Sequence, residues 1–134
     1  MRKLKTPGGY CRIGHRGLPE GTFYTADPSN PDTRRFDTES DLNKAMIAQF
    51  IENRGSKFKA DFYSQAFKRV LQNHKPVFTH ADFQRKNIMI RNHSNTDHSE
   101  TQSEISEPEI VIIDWESAGW YPDYLGISHS HNRM

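Results

Sequence analysis

Four side chains carry the chemistry this sequence suggests: His80, Asp82, Asn87 and Asp114. The first three lie in THADFQRKN, directly after the apolar pair Val77 and Phe78, and Asp114 closes the apolar run of VIIDWES, Val111 to Ser117. Short β-branched apolar runs bounded by polar residues read as buried strands. Asp82 sits just past one such strand, in a loop that must return within five residues to a strand beginning at Asn87. If that strand pairs antiparallel with the one ending at Asp114, Asn87 and Asp114 share one end of a hairpin, beside the Asp82 carboxylate. Hard oxygen ligands of this kind suit Mg²⁺, which takes few protein groups and completes its shell with water and phosphates. The remaining carboxylate can accept a proton from a substrate hydroxyl or orient it for attack. His80, two residues before Asp82, is better placed to brace the loop backbone than to do chemistry. The plainer reading of the same residues is that they satisfy backbone groups at strand ends, as Asn and Asp do in turns.

The elements that must position these groups follow from local pattern. Residues 1–35 are dense in turn formers (TPGGY, HRGLPEGTFYT, DPSNPD), which preclude a long helix and leave room for short strands at Tyr10–Ile13 and Thr22–Tyr24. Gly8 and Gly9 match no phosphate-loop spacing and read as a turn. The first helix is expected to start at FDTESDL, with Thr38 or Ser40 as cap and Asp37, Glu39 and Asp41 at the positive end of the dipole. Leu42, Met46 and Phe50 recur at helical spacing, and Gly55 marks the stop. A second helix is expected from Lys59 to Asn73, with Phe62, Tyr63, Ala66, Phe67, Val70 and Leu71 as its core face and Pro76 forbidding continuation. The strands Val77–Thr79, Asn87–Arg91 and Glu109–Asp114 come next. The polar, acidic stretch 93–109 reads as a disordered insertion in the hairpin. Beyond it a Gly-Trp-Tyr-Pro turn leads to a polar tail.

Composition narrows the class. The chain is long enough for one small domain. Its hydrophobic content of 34% and mean hydropathy of -0.89 predict a thin core. A net charge of +1 implies no general attraction to nucleic acid or membrane. The charge is uneven, however: Met1 to Arg16 holds five basic residues and no acid, whereas His93 to Glu109 holds five acids and no Lys or Arg. A single cysteine, Cys11, excludes an internal disulfide and a cysteine-rich zinc site, and reads as an idle thiol. With no apolar signal segment and no run approaching ~18 apolar residues, the expected location is the cytoplasm.

HADFQRKN, His80 to Asn87, resembles the catalytic loop of kinases in the His-x-Asp-x-x-x-x-Asn variant of the aminoglycoside phosphotransferase and choline kinase-like families. IDWE, Ile113 to Glu116, resembles the metal-binding segment of the same group, with Trp and Glu where protein kinases have Phe-Gly. AGWYP looks like the continuation common in fungal members, and GTF at Gly21 and FDTESDLN look like the segment preceding the catalytic loop. The resemblance spans roughly Gly21 to Tyr124. It implies an α+β fold: a partial protein-kinase-like C-terminal lobe with helices packed on a short β-hairpin that carries the catalytic loop. On that reading residues 1–35 are an irregular N-terminal segment, 36–124 the partial lobe with its insertion at 93–109, and 125–134 a flexible tail. Asp82 matches the catalytic base, Asn87 and Asp114 the Mg²⁺ ligands that bridge the ATP phosphates, and His80 the bracing histidine, with Ala81 where Gly is frequent.

A complete member also has an N-terminal lobe with a strand lysine and a helix glutamate for the phosphates. Residues 1–35 offer no Val-Ala-x-Lys strand, and Lys3 and Lys5 are the only early lysines. The expectation is therefore a fragment of an ATP- and Mg²⁺-dependent small-molecule O-phosphotransferase, weak or inactive alone, without its N-lobe. The alternative is a non-catalytic, pseudokinase-like interaction module that associates with itself or a partner through exposed apolar faces. A metal hydrolase using His80, Asp82 and Asp114 fits less well, for want of a further ligand cluster. The acceptor is expected to be a small-molecule hydroxyl, with no nucleic-acid or membrane partner. Trp115 is expected to pack under the site, and Glu116 and Asp123 are candidates for contact with a cationic substrate. His93, His98, His129 and His131 read as solvated polar residues.

Overall fold

Thr38 starts the first helix for a local reason. Its backbone is extended and its hydroxyl accepts the Asp41 N–H at 3.2 Å, so α1 runs Glu39–Glu52 with Glu39 and Asp41 in its first turn. At its other end Arg54 turns left-handed (φ 61°) and the Gly55 N–H closes on Phe50 O at 2.9 Å. A side chain at Gly55 would collide with the Phe50 ring and carbonyl. The second helix, α2, runs Lys57–Val70 and meets α1 through an edge-on contact of Tyr63 with Phe50, ring centroids 5.5 Å apart. In this computed structural model, which describes residues 4–19, 21–91 and 107–125, Ala60 is the buried residue of α2. Only half of the stripe expected to be core is covered: Ala66, Phe67 and Leu71 are half-buried, whereas Tyr63 is exposed and Phe62 and Val70 are 64% and 65% exposed. An apolar stripe wider than the contact one neighbouring helix can cover leaves part of itself in solvent.

The larger sheet is antiparallel. It is built from β1 (Cys11–Arg12), β2 (Pro76–Thr79) and β5 (Gly119–Pro122), with β5 in the middle. Its register sets Cys11 opposite Trp120 on one side and Val77 opposite Tyr121 on the other. The stretch expected to be a Gly-Trp-Tyr-Pro turn is thus the central strand. Gly119 permits this, because a Cβ there would lie 2.4 Å from Cys11 O and 2.6 Å from Arg12 Cα. Pro122 pairs with Pro76 at one end of the sheet, where missing N–H donors cost least. The strand expected at Thr22–Tyr24 does not form. Phe23 enters the core instead and the Tyr24 N–H bonds Ala45 O of α1 at 3.1 Å.

The smaller sheet is the expected hairpin, β3 (Ile88–Arg91) with β4 (Glu109–Ile112), paired Ile88 to Ile112 through Arg91 to Glu109. The insertion expected at 93–109 lies outside the described residues up to 106, as does the tail from 126.

Tyr10, Leu18, Phe23, Phe36, Leu42, Ala45 and Tyr121 form the core, with Met46 and Leu125 packed on it. Three of these come from the turn-rich N-terminal stretch, which is held by paired backbone bonds between Tyr10 and Phe36 (2.7 and 3.1 Å). The Tyr10 hydroxyl donates to His74 O at 2.5 Å, and burial, with Glu39 and Asp123 nearby, pushes its pKa up to about 12. The whole is a mixed α+β arrangement with antiparallel sheets. Among the described residues no helix is long and apolar enough to cross a membrane.

Candidate functional site

The loop leaving β2 is fixed by His80. Its ring is buried, its Nδ1 accepts the Asp82 N–H at 3.3 Å, and its Nε2 lies 2.9 Å from Ile113 O. With Nδ1 accepting, Nε2 is the nitrogen that donates to Ile113 O, so the two bonds fix the ring's orientation. Trp115 flanks the ring edge-on at 4.6 Å and stacks on Phe78 of β2, while its Nε1 donates to Ile112 O at 2.8 Å. Trp115 therefore packs beneath the loop, and His80 braces it.

Ile113 is gripped from both sides. Its carbonyl accepts from His80, and its N–H donates to Asn87 O at 2.9 Å, one step beyond the last β3–β4 pair. Those bonds carry Asp114 to the same end of the hairpin as Asn87. Asp114 then takes a left-handed backbone (φ 63°), which Asp tolerates, and presents an exposed side chain. Ala81 is also left-handed (φ 65°) between His80 and Asp82. A residue without Cβ adopts that conformation at no steric cost, which is the physical reason to expect Gly there.

Asp82 and Asn87 are joined directly. The Asn87 Nδ2 donates to Asp82 O at 2.8 Å and to its Oδ2 at 3.2 Å, which commits the amide nitrogen and leaves the carbonyl Oδ1 as the other end of the group. Two partners missed in the sequence complete the setting. Gln84 Nε2 donates to Asp82 Oδ1, and Lys86 Nζ stands 3.4 Å from Oδ2. Burial alone would raise the Asp82 pKa. Gln84, the Lys86 charge and Asn87 outweigh it and hold the carboxyl below its ordinary value. The signal available beforehand was the placement of Gln84 and Lys86 two and four residues after Asp82, in a loop that turns back on itself.

The side chains that could hold a metal here are oxygen donors. Among the described residues no three His, Cys, Asp or Glu side chains gather to hold a metal, so a closed protein cage is not present. Mg²⁺ asks for less: one or two carboxylates, with water and phosphate oxygens for the rest. The oxygen donors at this end of the hairpin are the exposed Asp114 carboxylate, the Asp82 carboxylate and the Oδ1 of the buried Asn87.

Other candidates fall elsewhere. The register of β5 puts Gly119 beside Thr79 and Pro122 beside Pro76, so Asp123 lies past the far end of the strand, about 10 Å or more from the loop after Thr79. Its charge bears on Tyr10 and Tyr124 instead. Asp123 and Glu116 therefore do not form one acidic cleft. Cys11 is buried, and burial raises its pKa against the pull of Arg35, as an unreactive thiol requires. His93, His98, His129 and His131 lie outside the described residues. No family model, curated protein or solved structure matches the chain.

Proposed function

We propose that the loop from His80 to Asn87, with Asp114, is the metal-and-base half of an ATP- and Mg²⁺-dependent O-phosphotransferase site. It resembles that of the aminoglycoside phosphotransferase and choline kinase-like families, in a partial kinase-like C-terminal lobe. The observation that carries the reading is the double grip on Ile113, by His80 at its carbonyl and Asn87 at its N–H. That grip sets Asp82, Asn87 and Asp114 around one end of a hairpin. Asn87 and Asp114 would hold Mg²⁺, whose bound charge neutralises phosphate oxygens. Asp82, kept ionised by Gln84, Lys86 and Asn87, accepts the hydrogen bond of an acceptor hydroxyl and aims its oxygen. The ion pairs seen among the described residues do not include a strand lysine with a helix glutamate. The proposal therefore concerns binding of the Mg²⁺–nucleotide and orientation of the hydroxyl. A nucleotide-dependent site of this kind suits the ATP-rich cytoplasm.

The test is a thermal-shift titration with ATP and Mg²⁺. Wild type should gain stability with ligand, about 2.7 kcal/mol at a hundredfold excess over Kd, and Asp114→Ala or EDTA should remove the gain. A wild-type midpoint that ignores ATP and Mg²⁺ would exclude the reading. That result would favour a non-catalytic interaction module, for which the exposed Phe58, Phe62 and Val70 along α2 are the supporting observation.

A further inference from the structure

Arginine is concentrated where the N-terminal stretch folds on itself. Arg12 Nε donates to Gly17 O at 2.6 Å, Arg34 Nε to Leu18 O at 2.7 Å, and Arg35 NH1 to His15 O at 3.0 Å. Three guanidinium groups are thereby anchored on three carbonyls within residues 15–18, those of His15, Gly17 and Leu18. None of these arginines is ion-paired with a carboxylate among the described residues. Arg34 is the telling member, because it is only 5% exposed. A charge taken so far out of water is costly unless it is paired. Its bond to a described residue uses Nε. No bond from its two terminal amino groups to a described residue is seen, and no buried side-chain nitrogen among the described residues lacks a partner, so both keep some contact with solvent. A guanidinium held by Nε keeps both terminal nitrogens parallel and free, the fork that takes two oxygens of a phosphate.

We propose that Arg34, backed by Arg12 and Arg35, binds the phosphoryl group of a small phosphomonoester. The site is separate from Asp82, Asn87 and Asp114, and it works without a metal. Arg34 supplies the paired donors, the neighbouring guanidinium groups supply the field, and the carbonyls of His15, Gly17 and Leu18 keep all three from collapsing onto acids.

Isothermal titration with inorganic phosphate, in EDTA and at matched ionic strength, tests this on the full chain. Wild type should bind saturably, and Asp114→Ala should bind as well as wild type, which separates this site from the proposed phosphotransfer site. Arg34→Lys keeps the charge and can still reach Leu18 O but has no fork, and it should bind at least about tenfold more weakly. Arg35→Gln, an exposed position, should weaken binding with the fold unchanged by circular dichroism, and it decides the matter should Arg34→Lys fail to fold. Glycerol phosphate competing with inorganic phosphate would identify a soluble ligand. Competition only by phosphatidylcholine vesicles containing phosphatidic acid would identify a headgroup carrying the same chemistry. Absence of saturable binding, equal affinity in a folded Arg34→Lys, or loss of binding in Asp114→Ala would each overturn the proposal.

Discussion

At Asp82 two opposing effects act on one carboxylate. Partial burial favours its neutral form, while Gln84, the Lys86 ammonium and Asn87 favour the anion and prevail. A folded-state pKa below the ordinary 3.8 means that the folded protein binds this proton less readily than the unfolded chain. The stabilisation is therefore present above that value and is lost as pH falls through the depressed one. Asp82→Asn should consequently lose less stability than wild type when urea midpoints at neutral pH are compared with midpoints below pH 3.8. Equal losses in the two proteins would show that the network contributes nothing. The Asp82 setting was only half legible in the sequence. His80, Asp82, Asn87 and Asp114 announce themselves by type and spacing. Gln84 and Lys86 look like ordinary loop polars until the chain curls back, because their partnership depends on a turn that no periodicity encodes.

At the scale of elements, α1 was readable and β5 was not, for a physical reason. Thr38 caps its own helix three residues on, so the signal and its effect lie in the same stretch of chain. Gly119 and Pro122 look like turn formers, but Gly119 is required because the β1 backbone passes within reach of its absent Cβ, and β1 lies far away in sequence. Gly119→Ala should push β1 off β5 and cost about 1–3 kcal/mol in chemical denaturation. A variant as stable as wild type would mean that β1 yields freely. The hairpin β3–β4 was foreseen because two β-branched runs flank a polar stretch, and its pairing follows once both are strands. The stripe on α2 shows the opposite limit. Helical spacing says which residues share a face, but not how much of that face a neighbour covers.

For the molecule as a whole, the exposed apolar side chains are the feature with a solution consequence. Phe58 is 82% exposed and Phe62 sits one turn further along α2. Large aromatic surface left in water promotes association. The double variant Phe58→Ser with Phe62→Ser should remain more monomeric at high concentration than wild type in sedimentation velocity. Sedimentation identical to wild type would acquit α2. Of the three arginines, only Arg12 belongs to the run of five basic residues without an acid between Met1 and Arg16. That three arginines would settle on neighbouring carbonyls, and one of them sink into the interior, depends on the pairing of Tyr10 with Phe36 and could not be read from composition.

The position of β5 between β1 and β2 has a kinetic meaning. Arg12 meets Gly119 and Val77 meets Tyr121, so the strand that unites the larger sheet is the last to be synthesised. During translation α1 and α2 can form and touch early, because their contacts are local. The sheet, and the grip of His80 on Ile113, must wait for residues beyond 110. Closing loops of that span is slow, and it leaves β2 with unpaired edges in the meantime. From the completion of α2 at Val70 until β5 is made, the nascent chain is a helical pair beside an unfinished sheet, and that interval is when a chaperone would have most to hold.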